Sequence, residues 1–176
     1  MESKKKGIRI AITGPECTGK TTLAKQLAAH YKGLWVPEFA RLHLTNLEGK
    51  YNYQDLIFMA RQQIELEDNI WNEAGKNPVF SDTDMLVYYI WSTFRFDKCD
   101  AFIIDRIHKK NYHHYLLMYP DLPWENDSLR ENSDNLDALF ILYEKALQQF
   151  QIPYSVISGK GNIRLENAMS AIKYWL

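Results

Sequence analysis

Several features are scarce in this sequence, and each scarcity excludes a class of protein. Only Cys17 and Cys99 are present, with no CxxC pair and no Cys/His ligand spacing. A disulfide scaffold is therefore excluded, and a reducing compartment is expected. No run approaches the eighteen or so uninterrupted apolar residues of a membrane span, so no membrane partner is expected. The N-terminus lacks an apolar stretch followed by small residues, so it does not read as a secretory signal, and the expected location is cytoplasmic. Charge of one sign is also lacking: 21 Lys and Arg stand against 22 Asp and Glu, a formal net charge of −1. A whole-chain attraction to nucleic acid is not implied, and Lys4, Lys5 and Lys6 read as a solvated terminus. The five histidines form no HxxxH or HExxH pattern, which argues against a histidine metal centre. Neither an internal repeat nor a low-complexity tract is found.

What is present is ordinary globular material. The 176 residues are 46% hydrophobic and 24% charged, enough for one domain, residues 1–176, with a sizeable core. Gly7 to Thr13 is a β-branched run that reads as a buried strand, and Lys20 to Tyr31 places Leu23, Leu27 and Tyr31 on one helix face. Leu34–Val36 reads as a second strand, Tyr53–Ala74 as a long helix opened by Asp55, and Val79–Ser81 as a third strand. Helices are expected over Met85–Phe96 and Asp100–Tyr112, a fourth strand over His114–Met118, and an irregular segment over Asp121–Asn135. A helix over Leu136–Phe150, a strand over Tyr154–Ile157 and a closing helix from Arg164 to Leu176 complete the chain. Apolar strands alternating with helices predict an α/β fold, a parallel sheet covered on both faces. Ligands of such sheets bind at the carboxyl ends of the strands.

Three clusters fall at those ends. Gly14-Pro15-Glu16-Cys17-Thr18-Gly19-Lys20-Thr21 matches GxxxxGK[ST] between a strand and a helix. Its glycines let the backbone curl so that N–H groups, together with a helix N-terminus, cradle phosphate oxygens. Lys20 would reach the β- and γ-phosphates of ATP, the Thr21 hydroxyl would bind Mg²⁺, and Thr22 continues the cradle. Cys17 reads as a small spacer in that loop. Asp82 and Asp84 end the third strand; alternate residues of an extended segment point the same way, so both carboxylates are expected to face the nucleotide, one organising Mg²⁺. A helix N-cap competes for this pair, and both roles can hold together. Glu38, preceded by Pro37, is placed to accept a hydroxyl proton, and Arg41 to pair with it or to contact phosphate; a surface ion pair is the plainer alternative. The segment from Leu122 to Arg130 carries a Pro-Trp turn and an arginine, the make-up of a lid in which Trp124 stacks on a flat ring and Arg130 neutralises transferred charge; packing is the plainer reading of a lone tryptophan at such a turn. Tyr88, Tyr89, Trp91, Phe94 and Phe96 read first as core or interface packing, which leaves a homo-oligomer open, and second as an aromatic wall for an acceptor base.

Taken in order, GPECTGKTTL, VPEFAR, the helix with Asp55 and Gln63, FSDTD, PDLPWENDSLR and IPYSVISG make the chain resemble the ribosylnicotinamide kinase domain of NadR-type proteins, from Ile8 to about Ala171. The resemblance implies a P-loop NTPase fold, a three-layer α/β/α sandwich on a mostly parallel sheet of about five strands with a lid over about 121–135. It implies transfer of the ATP γ-phosphate to the 5′-hydroxyl of N-ribosylnicotinamide, a nucleoside-like small molecule. Glu38, Asp82 and Asp84 would handle acceptor hydroxyls and Mg²⁺, Gln63 and Trp124 would line the acceptor pocket, and Asp127 and Arg130 would belong to the lid. The chain departs from the family in having Ser128 where a lid glycine is common and Asn135 near the place of a further lid arginine. An ATP-binding switch, or a kinase of another nucleoside, is the alternative. A GTPase is disfavoured because no NKxD motif occurs.

Overall fold

The computed structural model describes residues 7–109, 111–125 and 135–176. Five strands, β1 (Arg9–Thr13), β2 (Leu34–Val36), β3 (Val79–Asp82), β4 (His114–Met118) and β5 (Tyr154–Ile157), form one sheet in the order β2-β3-β1-β4-β5. Every neighbouring pair is parallel, with Ile12 opposite Asp82 on one side of β1 and opposite Leu116 on the other.

Alternation along the central strands explains why the sheet is sandwiched. Ile10 and Ile12 of β1 and Leu116 and Met118 of β4 face one cluster, formed with α1 (Lys20–His30) and α7 (Asn162–Ile172). Ala11, Tyr115 and Leu117 face the other, larger cluster. That cluster is built on α2 (Phe39–Asn46), α3 (Tyr53–Ala74), α4 (Met85–Phe96), α5 (Ala101–His108) and α6 (Leu136–Gln149). With both faces covered, the central strands are apolar at most positions, which is why their sequences read as runs rather than as alternations. At roughly 25 cal/mol per Å² of apolar surface, each such fully buried side chain contributes about 1.5–3 kcal/mol.

Helix starts and stops follow local chemistry. Asn52, not Asp55, caps α3: its side chain accepts from the Gln54 and Asp55 N–H groups, and Asp55 answers by accepting from the Asn52 N–H at 2.8 Å. The helix over Phe39–Asn46 was not expected from sequence. The one expected over Asp100–Tyr112 is shorter, running from Ala101 to His108. The last helix begins at Asn162 rather than Arg164, because Gly161 turns into it with a φ of 53°.

Candidate functional site

The phosphate loop follows the central strand. Gly14, Cys17 and Gly19 take φ values of 129°, 60° and 80°, so the backbone curls where the sequence spaces its glycines. A Cβ on Gly14 would lie 3.0 Å from the Met118 carbonyl oxygen, and one on Gly19 3.1 Å from Leu122 Cδ1. Thr18, fully buried, donates to the Pro15 carbonyl at 2.8 Å and pins the curl. Helix α1 opens on Gly19 with no side-chain cap and no acidic residue in its first turn. Its leading amides are thus left for an anion. Lys20 folds back over the loop, donating to the Gly14 and Pro15 carbonyls at 3.0 and 2.7 Å.

A cavity of about 400 Å³ opens at this loop. Gly14 through Thr22 line it, as do Glu38 and Arg41, so the first two clusters meet there. Glu38 begins α2, but its side chain makes no cap hydrogen bond. Desolvation raises the Glu38 carboxyl above its ordinary value, against the pull of Lys20 and, more weakly, of Arg41. The far wall is apolar and aromatic, including Leu44, Tyr51, Trp91, Phe94, Leu139 and Tyr143. Trp91 Nε1 donates to the Tyr51 hydroxyl at 2.7 Å, and the two rings meet edge-on at 5.0 Å. Of the aromatic helix, Trp91 and Phe94 reach the cavity, whereas Tyr88 is fully buried behind them.

The paired aspartates do not act as two alternate residues of one strand. Thr83 between them has a φ of 82°, which breaks the extended geometry on which that expectation rests. Asp84 caps α4, accepting from the Leu86 N–H at 3.0 Å, and burial pushes its carboxyl up to about 6. Asp82 ends β3 beside Ile12. Its Oδ1 is buried without a hydrogen-bond partner among the described residues. Burial raises this carboxyl too, opposed first by the Thr21 hydroxyl and then by Lys20. An aspartate with one buried oxygen left without a partner, beside a threonine hydroxyl, is a fitting hard-oxygen donor set for Mg²⁺, an ion that keeps most of its shell as water and phosphate. Among the described residues no group of three or more His, Cys, Asp or Glu could hold a metal alone.

Gln63 is a correction. It does not line the cavity but is fully buried, with its amide bonded to the Pro37 carbonyl and the Phe39 N–H. Trp124 is half-buried and is not among the lining residues, although its neighbours Leu122, Pro123 and Glu125 are. Asp127, Ser128 and Arg130 lie outside the described residues, as does most of the expected lid. Cys17 does more than fill space: Glu125 N–H donates to its Sγ at 3.1 Å, so the loop touches the start of that segment. Tyr51 was missed because it precedes a helix cap and carries no motif. Leu139 and Tyr143 were read only as the core face of α6, and nothing in their spacing marks a pocket.

A curled loop between the central parallel strand and a helix, with an aspartate ending the adjacent strand, defines a P-loop nucleotide-binding domain. A family model described as an AAA domain matches residues 9–164, and the chain belongs to that family. No curated protein matches its sequence. Among solved structures, a NadR protein in complex with NAD and AMP-PNP superposes with a TM-score of 0.82 at 18% identity, covering 96% of this chain and 49% of that one. A NadR protein in complex with NR gives the same TM-score and identity, covering 98% and 52%. The chain therefore spans about half the length of these NadR chains. A deoxyadenosine kinase from M. mycoides with bound dATP gives a TM-score of 0.62 at 14% identity over 94% of this chain and 99% of its own. The fold is common to all three.

Proposed function

We propose that the chain is a P-loop nucleoside kinase that moves the γ-phosphate of ATP to the 5′-hydroxyl of N-ribosylnicotinamide, giving nicotinamide mononucleotide. The observation that carries this reading is one cavity that joins a phosphate cradle, a carboxylate with a raised pKa and an aromatic wall. A switch protein that only holds ATP has no use for the second and third of these.

The roles follow from placement. The uncapped amides of Gly19 to Thr22 bind phosphate oxygens, and Lys20 leaves the Gly14 and Pro15 carbonyls to set its charge against the transferring group. Thr21 and Asp82 would hold Mg²⁺, which when bound supplies positive charge against the phosphates. Glu38 accepts the proton of the attacking hydroxyl and passes it to solvent; its raised pKa makes the ionised form a stronger base. Arg41, at the mouth of the same cavity, balances the charge on Glu38. Tyr51, Trp91 and Phe94, which line the cavity, offer aromatic rings against which the acceptor ring packs. A pyridinium carries positive charge and suits such π-faces.

Support for the acceptor also comes from the neighbours of similar fold, one solved with NR and one with AMP-PNP. ADP release from Mg-ATP, measured with ribosylnicotinamide, nicotinic acid riboside and common nucleosides, tests the proposal. Strong stimulation by a pyridine riboside is expected. A flat panel with intact ATP binding would sink the kinase reading and favour the switch. Cytoplasmic location and a homo-oligomer belong to this proposal as well; among the described residues no helix is long and apolar enough to cross a membrane.

A further inference from the structure

Arg164, at the start of α7, is only 5% exposed, yet its guanidinium is committed entirely to the carboxyl end of the sheet. Nε donates to the Gly159 carbonyl at 2.7 Å, Nη1 to the Thr18 carbonyl at 2.8 Å, and Nη2 to the Tyr119 carbonyl at 3.3 Å. Nη2 also pairs with Asp121 Oδ1, while Asp121 Oδ2 accepts from the Gly159 N–H at 2.7 Å. Five contacts thus join three segments: the phosphate loop, the chain leaving β4 toward the expected lid, and the β5–α7 turn. Three of the four groups that Arg164 holds are backbone carbonyls, so what it fixes is main-chain direction.

The direction matters at Thr18. In a trans peptide the carbonyl and the following N–H point opposite ways. Thr18 and Gly19 line the cavity and Arg164 does not, so a Thr18 carbonyl held by Arg164 turns the Gly19 N–H toward the cavity. The same guanidinium holds Tyr119 and Asp121, three residues or fewer from Leu122, the side chain that packs on Gly19. The geometry points to Arg164 as a positioning residue for nucleotide binding: with Asp121 as its partner, it orients the cradle amides and seats the root of the 121–125 segment on the loop. This rests on the reading of the cradle as an ATP site.

Lysine keeps the charge of Arg164 but cannot span three carbonyls and a carboxylate. Asp121→Asn keeps an acceptor for Arg164 and removes the charge that orients it. Equilibrium binding of AMP-PNP with Mg²⁺, and of ribosylnicotinamide separately, should be measured for wild type, Arg164→Lys and Asp121→Asn, each well below its own melting temperature. The expected result is AMP-PNP affinity weakened about tenfold or more in Arg164→Lys, less in Asp121→Asn, with the riboside affinity unchanged. A general loss of structure would weaken both ligands together, and that outcome overturns the inference. So does wild-type AMP-PNP affinity in a folded Arg164→Lys. If the wild type itself fails to bind AMP-PNP, the cradle reading falls and the inference with it.

Discussion

Gln63 brackets Glu38 without touching the cavity: its side-chain amide donates to the Pro37 carbonyl at 3.1 Å and accepts from the Phe39 N–H at 2.8 Å. The two backbone groups on either side of Glu38 are thereby fixed to the long helix α3. Replacing Gln63 with Leu should leave both unpaired in a buried place, at a cost of about 1–3 kcal/mol in stability. Turnover should fall by about tenfold to a hundredfold through misplacement of Glu38. Nucleotide affinity should hardly move. Steady-state kinetics beside AMP-PNP binding checks this, and a parallel loss of both would mean that Gln63 supports the whole site rather than Glu38.

In the proposed reaction Lys20 sets its charge against the transferring phosphate. Lys20→Ala is predicted to lose about a thousandfold or more in rate. A single-turnover measurement at saturating ATP separates this from weaker binding, and near-normal turnover would show the cradle to be non-catalytic.

For Glu38→Gln, turnover should drop by about a hundredfold or more with ATP binding retained. The wild-type pH–rate profile should show an acid limb above the range of an ordinary glutamate, because desolvation raises this carboxyl. That limb should vanish in the variant. An unchanged limb assigns the proton to another group.

Glu67 sits behind the site, 2% exposed, where burial raises its carboxyl from 4.5 to about 7 against the Tyr112 hydroxyl, which donates to its two oxygens at 2.5 and 2.6 Å. Between those values the native chain keeps a proton that the unfolded chain has released. Stability from this group therefore falls as pH rises from about 4.5 to about 7, and is flat above. Glu67→Gln, which never ionises, should be more stable than wild type at pH 8 by on the order of 3 kcal/mol and equal to it near pH 4. Denaturant melts at both pH values check this. A wild-type pH slope surviving intact in the variant would contradict it; Asp84, Glu38 and Asp82, whose carboxyls are also raised, leave a slope in the same direction in both proteins, so the difference between the two melts carries the test.

The central strands were legible because both faces of the sheet are covered there, which makes most of their residues apolar, and the phosphate loop because its fixed positions are set by backbone conformation. Asp82 and Asp84 part company because alternation assumes extended backbone and Thr83 leaves it; Asp84 takes the helix-cap role that the sequence offers beside the metal role. Helix α2 was hidden by Pro37 and by eight residues of mixed character. Gln63 carried a helical spacing that says which face is inward but not that its amide would hold a loop 24 and 26 residues away. Arg164 and Asp121 lie 43 residues apart, and only the adjacency of β4 and β5 brings them together.

The central claim is that phosphate moves from ATP to a pyridine riboside, and following the phosphorus tests it most directly. The protein would be incubated with ATP labelled at the γ-phosphate, Mg²⁺ and ribosylnicotinamide, and the products separated. The account predicts label on the 5′-monophosphate of the riboside in step with ADP formation. Label appearing only as inorganic phosphate, at a rate indifferent to the riboside, would contradict it.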